Sequence, residues 1–165
     1  MISFRPLAAD DIAMLHDWLA RPHVREWWGE PESVAEVEAD YLSTIAPGST
    51  TRAYIASLDG EPIGFIQSYV VKDSGGGWWE HETDPGARGI DQFLAEAGQL
   101  GRGLGSAMVR AFVDELFRDA SITRVQADPA PENTRAIRSY ARAGFIAQRE
   151  VITPDGPALL MVRRR

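Results

Sequence analysis

Apolar residues in the first third of the chain recur at three- and four-residue intervals. In "ADDIAMLHDWLA" the spacing of Ile12, Leu15 and Leu19 predicts an amphipathic helix behind a short strand, "ISFRPL", with Asp10 as its N-cap and Pro22 as its stop. Val34, Val37, Tyr41 and Leu42 carry a second helix from about Ser33 to Ile45, closed by the "PGS" of Pro47 to Ser49. The period then shortens. "RAYIASL" and "EPIGFIQSYVV" read as two strands, joined by Asp59-Gly60, a dipeptide suited to the positive φ angles of a tight hairpin.

The next stretch, "KDSGGGWWEHETDPGARG", has no period and much glycine, and reads as an exposed loop. "IDQFL" follows as a strand. The segment "QLGRGLGS" then leads into a helix whose buried stripe is Leu104, Ala107, Met108, Ala111, Phe112 and Leu116. "ITRVQAD" reads as a strand, Asn133 to Arg142 as a helix stopped by Gly144, and "FIAQREVIT" and "ALLMVRR" as a strand pair around "TPDGP". The expected fold class is α+β, without repeats.

Composition narrows the chemistry. A chain of 165 residues with 44% hydrophobic content can bury one proper core, so a single domain over 1–165 is expected. The 24 acidic against 17 basic side chains, net charge −7, disfavour a nucleic-acid backbone and suit a cationic partner. With no cysteine, no disulfide or thiolate chemistry is available, and His16, His23 and His81 lack zinc-ligand spacing, so no metal is expected. The N-terminus has no signal-like pattern and no long apolar run occurs, which predicts a cytoplasmic protein away from membranes.

Gly101, Gly103 and Gly105 sit where a strand–loop–helix unit would expose backbone N–H groups beside a helix N-terminus, a ready phosphate site. The same glycines could merely allow a tight turn. The P-loop Lys-Ser/Thr and the G-x-G-x-x-G of a dinucleotide fold are both absent. Further along, "ENTRAIRSYARAGF" carries Asn133, Ala136, Tyr140, Gly144 and Phe145 as N-x-x-A-x-x-x-Y-x-x-x-G-F. With the glycine segment it resembles the acetyl-CoA-binding signature of the GNAT superfamily of N-acetyltransferases.

That resemblance implies a mixed sheet of about six to seven strands flanked by about four helices, splayed between the two strands that admit acetyl-CoA. It implies that Gly101, Arg102, Gly103, Gly105 and Ser106 hold the pyrophosphate, with Phe93, Leu94, Asn133 and Tyr140 along the rest of the cofactor. Leu100 departs from the Gln or Arg common there, which leaves more to the backbone and Arg102. The strings "EWWG", "GEPIGFIQSYV", "GWWEHETDPGARGIDQFLA" and "TPDGPA" resemble the aminoglycoside 6′-N-acetyltransferases more narrowly.

An amine attacking a thioester must lose a proton, an oxyanion must be stabilised, and the departing thiolate wants a proton. On the resemblance, Asp91 matches the base, with holding the substrate ammonium as its other reading. Tyr140 matches the acid towards sulfur, and backbone amides around Phe93 and Leu94 meet the oxyanion. Trp28, Tyr41, Gln67, Trp79, Asp91, Asp128 and Asp155 fall on positions that line the antibiotic site. Trp27 and Trp78 could be core, and Glu80, Glu82 and Asp84 simple loop charge. Gly76 and Ser49 stand where such relatives carry Asp and Glu, so two substrate carboxylates are missing. The expected partner is therefore a cationic aminoglycoside met by a monomer or weak homodimer. Another amine or hydroxylamine acceptor, such as a siderophore precursor, is the alternative.

Overall fold

The computed structural model describes residues 1–165, and their contacts divide into two compact units. One unit comprises Met1–Gln67 and Gln92–Leu100. Here β1 (Ile2–Pro6) pairs antiparallel with β2 (Thr51–Leu58), from Ile2↔Leu58 to Pro6↔Tyr54. The Asp59-Gly60 turn, with φ of 51° and 90°, leads into β3 (Glu61–Val70) as expected.

The expected start of the first helix needs correction. A 3-10 turn at Ala9–Asp11 precedes α1 (Ile12–Leu19), and no side chain caps α1; the Asp11 carboxylate, rather than Asp10, closes the start of the 3-10 turn by accepting from the Ala8 N–H at 2.8 Å. Arg5 grips the same carboxylate at 2.6 and 2.7 Å and holds it below the usual carboxylate range. The first helix ends at Leu19, ahead of Pro22 as expected, but Pro22 also opens a second helix, α2 (Pro22–Trp28), that was not expected. Proline loses nothing at a first helical position, and the extended Arg21 before it (ψ 137°) is what a following proline demands. This makes five α-helices where about four were expected.

Helix α3 (Val34–Leu42) starts at Ser33, whose hydroxyl accepts from Glu36 N–H while the Glu36 carboxylate accepts from Ser33 N–H. A 3-10 turn, Ser43–Ile45, follows. The unit's core gathers Leu15, Trp18, Val24, Val37, Ile55, Phe65 and Phe93. Each such side chain contributes roughly 1.5–3 kcal/mol by leaving water.

The second unit comprises Ser68–Asp91 and Gly101–Arg165. It holds α4 (Leu104–Leu116), β5 (Arg124–Ala127), α5 (Thr134–Arg142), β6 (Ile146–Thr153) and β7 (Gly156–Arg164). Strand β4 (Ala87–Leu94) begins three residues before the expected "IDQFL", because Ala87 and Gly89 belong to its buried pleat despite carrying no β-forming side chain. Strands β3 and β4 run through both units, and the seven-stranded order is β1-β2-β3-β4-β5-β7-β6.

The parallel β4·β5 ladder covers only Ala87↔Arg124, Arg88↔Val125 and Gly89↔Gln126. Beyond Gly89, β4 continues without pairing to β5, which is the splay expected of this fold. Glu82 and Asp84 are anchors rather than loose loop charge. Glu82 pairs with Arg124 and accepts from Asp84 N–H, and Asp84 accepts from Gly86 N–H and the Thr123 hydroxyl.

Candidate functional site

In the second unit the β4·β5 register decides which side chains share a face. Residues paired across strands point the same way and alternate along them, so Asp91, two beyond Gly89, and Asp128, two beyond Gln126, project from one side of the sheet. Tyr69 of β3 lies on that side as well: a Cβ placed on Gly89 would sit 2.0 Å from its Cζ and 2.4 Å from its hydroxyl oxygen. Only glycine at 89 leaves room for the ring. The Tyr69 hydroxyl accepts from the Trp79 indole N–H at 3.1 Å.

Electrostatics tie the rest of the group together. Burial, followed by the charges of Asp91 and Asp155, pushes the Asp128 carboxyl up to about 7. Burial, then Asp91 and Asp128, raises the Tyr69 phenol well above its ordinary range, with the Trp79 hydrogen bond opposing and Tyr140 adding to the rise. Asp155 stands exposed in the β6–β7 turn, and Tyr140 is buried on α5 with its ring 5.3 Å from Phe145. Thus Trp79, Asp91, Asp128, Asp155 and Tyr140 gather as a set. Tyr69 and Gly89 are additions that pattern reading missed; the alternation of β3, which puts Tyr69 on the face of Gln67, was the available signal.

The glycine segment lies in the same unit. Gly103 (φ 84°) is the left-handed N-cap of α4 and has no side chain to satisfy the helix's first N–H groups. Nothing lies within 4 Å of where a Cβ of Gly101 or Gly103 would stand. Gly105 and Ser106 fall in the first turn, where the Ser106 hydroxyl donates to Gly103 O at 3.1 Å, and Arg102 is exposed beside them. Amides at a helix N-terminus, uncapped by protein and flanked by a guanidinium, fit an anionic diphosphate. Asn133 has a structural role, since its Oδ1 accepts from Ala136 N–H at 3.2 Å and caps α5.

The first unit holds the remaining expected residues. Phe65 and Phe93 stack at 5.5 Å, Trp28 meets them edge-on at 5.9 and 5.1 Å, and Tyr41 meets Phe65 edge-on at 5.4 Å. Trp28 and Tyr41 are therefore partly buried against the core, whereas Trp27, a core alternative, is 40% exposed. Tyr41 and Gln67 line a cleft of about 730 Å³ together with Asp40 and Ser49. The Phe93 side chain is part of the aromatic stack.

Main-chain direction separates Phe93 from Leu94. Ala95 N–H donates to Ile63 O at 2.8 Å, so alternation turns the Phe93 amide towards β3 and the Leu94 amide towards the opposite edge. On that edge the Leu94 carbonyl is taken by His23 Nε2 at 2.8 Å. No group of three or more His, Cys, Asp or Glu side chains is arranged to hold a metal ion, and no helix is long and apolar enough to cross a membrane.

The uncapped glycine turn at α4, the truncated parallel ladder and the carboxylate–phenol set agree with a match of residues 8–153 to the acetyltransferase (GNAT) domain; the chain belongs to that acetyltransferase family. Within it, the chain is 53% identical to aminoglycoside N(6′)-acetyltransferase type 1 of Klebsiella pneumoniae, over 99% of this chain and 83% of the relative. A crystal structure of aminoglycoside acetyltransferase AAC(6′)-Ib with coenzyme A and kanamycin superimposes with a TM-score of 0.95 at 53% identity, covering 100% of this chain and 95% of that one. The L-2,4-diaminobutyric acid acetyltransferase of Streptomyces coelicolor is 31% identical, over 71% of this chain and 68% of the relative.

Proposed function

We propose that the protein transfers the acetyl group of acetyl-CoA to the 6′-amino group of aminoglycoside antibiotics by direct attack in a ternary complex, and so confers resistance. The observation that carries the reading is the gathering of Asp91, Asp128 and Asp155 with two phenols, an anionic wall suited to a polycationic amino sugar. The family match spans residues of both units and supports reading 1–165 as one acetyltransferase domain.

The roles follow from the chemistry each group can supply. Amides of Gly101 to Ser106 and the Arg102 guanidinium bind the pyrophosphate of acetyl-CoA, with Asn133 at the start of α5 beside the pantetheine arm. Asp91 holds the 6′-ammonium and, with Asp128, takes its proton; a carboxyl near 7 is matched to general-base work at neutral pH. The Leu94 N–H donates to the oxyanion that forms as nitrogen bonds to the thioester carbon. As the C–S bond breaks, Tyr140 gives its proton to sulfur. Asp155 and Trp79 hold the sugar's other ammonium groups and ring face.

A thiol-release assay with acetyl-CoA tests this. Kanamycin should turn over and its 6′-hydroxyl analogue should not, with kcat/KM falling ~100-fold or more in Asp91→Asn and Tyr140→Phe. Coenzyme A binding without turnover of any aminoglycoside would overturn the substrate assignment. The diaminobutyric acid acetyltransferase relative then makes small diamines the acceptors to try.

A further inference from the structure

Tyr69 is absent from the roles above, yet its surroundings are built around it. The ring is seated across Gly89, where any Cβ would overlap it, and its hydroxyl oxygen receives the Trp79 indole N–H. With that oxygen occupied as an acceptor, the phenol's own proton is what it offers. The charged and titratable groups facing it are Asp91 from β4, Asp128 just after β5 and Tyr140 from α5, with Asp155 in the β6–β7 turn acting on Asp128. Ionised carboxylates accept hydrogen bonds and donate none.

We propose that Tyr69 is a positioning residue for acetyl transfer: seated on Gly89 and held by Trp79, it directs its O–H at the Asp91–Asp128 carboxylates and fixes where their proton resides. This rests on the acetyl-transfer reading above. Burial and the neighbouring Asp91 and Asp155 favour the protonated Asp128 carboxyl; an O–H donor favours the ionised form, so on this proposal Tyr69 opposes them. Gly89 and Trp79 act through Tyr69, the first by leaving space and the second by orientation.

The test pairs two measurements on wild type and Tyr69→Phe, which keeps the ring and removes the proton. Carboxyl ¹³C NMR titration of the protein without substrates should show the Asp128 midpoint rising by ~0.5–1 pH unit in Tyr69→Phe. The acid limb of the kcat/KM profile with kanamycin should move the same way, so that activity at pH 6 falls ~3–10-fold more than at pH 8.5. Trp79→Phe, which leaves the phenol in place but frees it, should shift both in that direction and serves if Tyr69→Phe does not fold. A midpoint and limb that stay put while kcat falls would make Tyr69 a packing residue and overturn the proposal. A wild type that turns over no aminoglycoside would instead sink the substrate reading, and the NMR titration would still decide the link between Tyr69 and the carboxylates.

Discussion

Burial of the Asp128 carboxyl makes the stability of the fold depend on pH. Its native carboxyl titrates near 7 against an ordinary value of 3.8, so between those limits the folded state binds more proton than the unfolded one. The stabilisation is present in full below about pH 4 and is lost as pH rises through about 7. Asp128→Asn should therefore raise Tm by several degrees at pH 8, leave it nearly unchanged at pH 4, and reduce activity at both. Calorimetry at the two pH values checks this; a lower Tm at pH 8 would mean the charge is well accommodated. Ser49 supplies a second residue-scale test. It lines the cleft with Tyr41 and Gln67, so Ser49→Glu should lower KM for kanamycin ~3–10-fold at low salt by adding a carboxylate for an ammonium.

Among the elements, α4 depends most on its first residue. Gly103 takes a left-handed conformation that a β-branched side chain adopts only at a cost of ~1–3 kcal/mol, and it leaves the first amides of the helix uncapped. Gly103→Val should raise KM for acetyl-CoA ~10-fold or more while KM for kanamycin changes little, which steady-state kinetics with each substrate varied will show. The helix itself was legible in the spacing of Leu104, Met108 and Phe112. Helix α2 was not: Pro22 reads equally as the end of one helix or the beginning of the next, and only the extended Arg21 and the burial of Val24 settle the matter. Asp10 and Asp11 were likewise indistinguishable until the Ala8 N–H contact singled out Asp11 at the 3-10 turn.

At the scale of the molecule, the net charge of −7 acts on two substrates of opposite sign. An acidic surface draws in a polycation and repels the phosphates of acetyl-CoA, and salt screens both effects with a Debye length near 10 Å at 0.1 M. Raising ionic strength from about 0.05 to about 0.5 M should raise KM for kanamycin several-fold and leave KM for acetyl-CoA unchanged or lower. Equal movement of both would deny the charge a role in capture.

Local pattern carried most of the architecture: alternating runs made strands, three-and-four spacing made helices, and Asp59-Gly60 and Gly144 marked their ends. It also carried the glycine turn and the Asn133 to Phe145 segment, because both are set by backbone conformation and short-range spacing. The inner site is another matter. Tyr69, Gly89, Asp91 and Asp128 are scattered over β3, β4 and the end of β5, and only strand register puts them on one face, with Gly89 bare so that Tyr69 can lie across it. The elevated Asp128 carboxyl and the packing of Trp28 and Tyr41 against the core likewise came from burial and long-range contacts, which no single stretch of chain encodes.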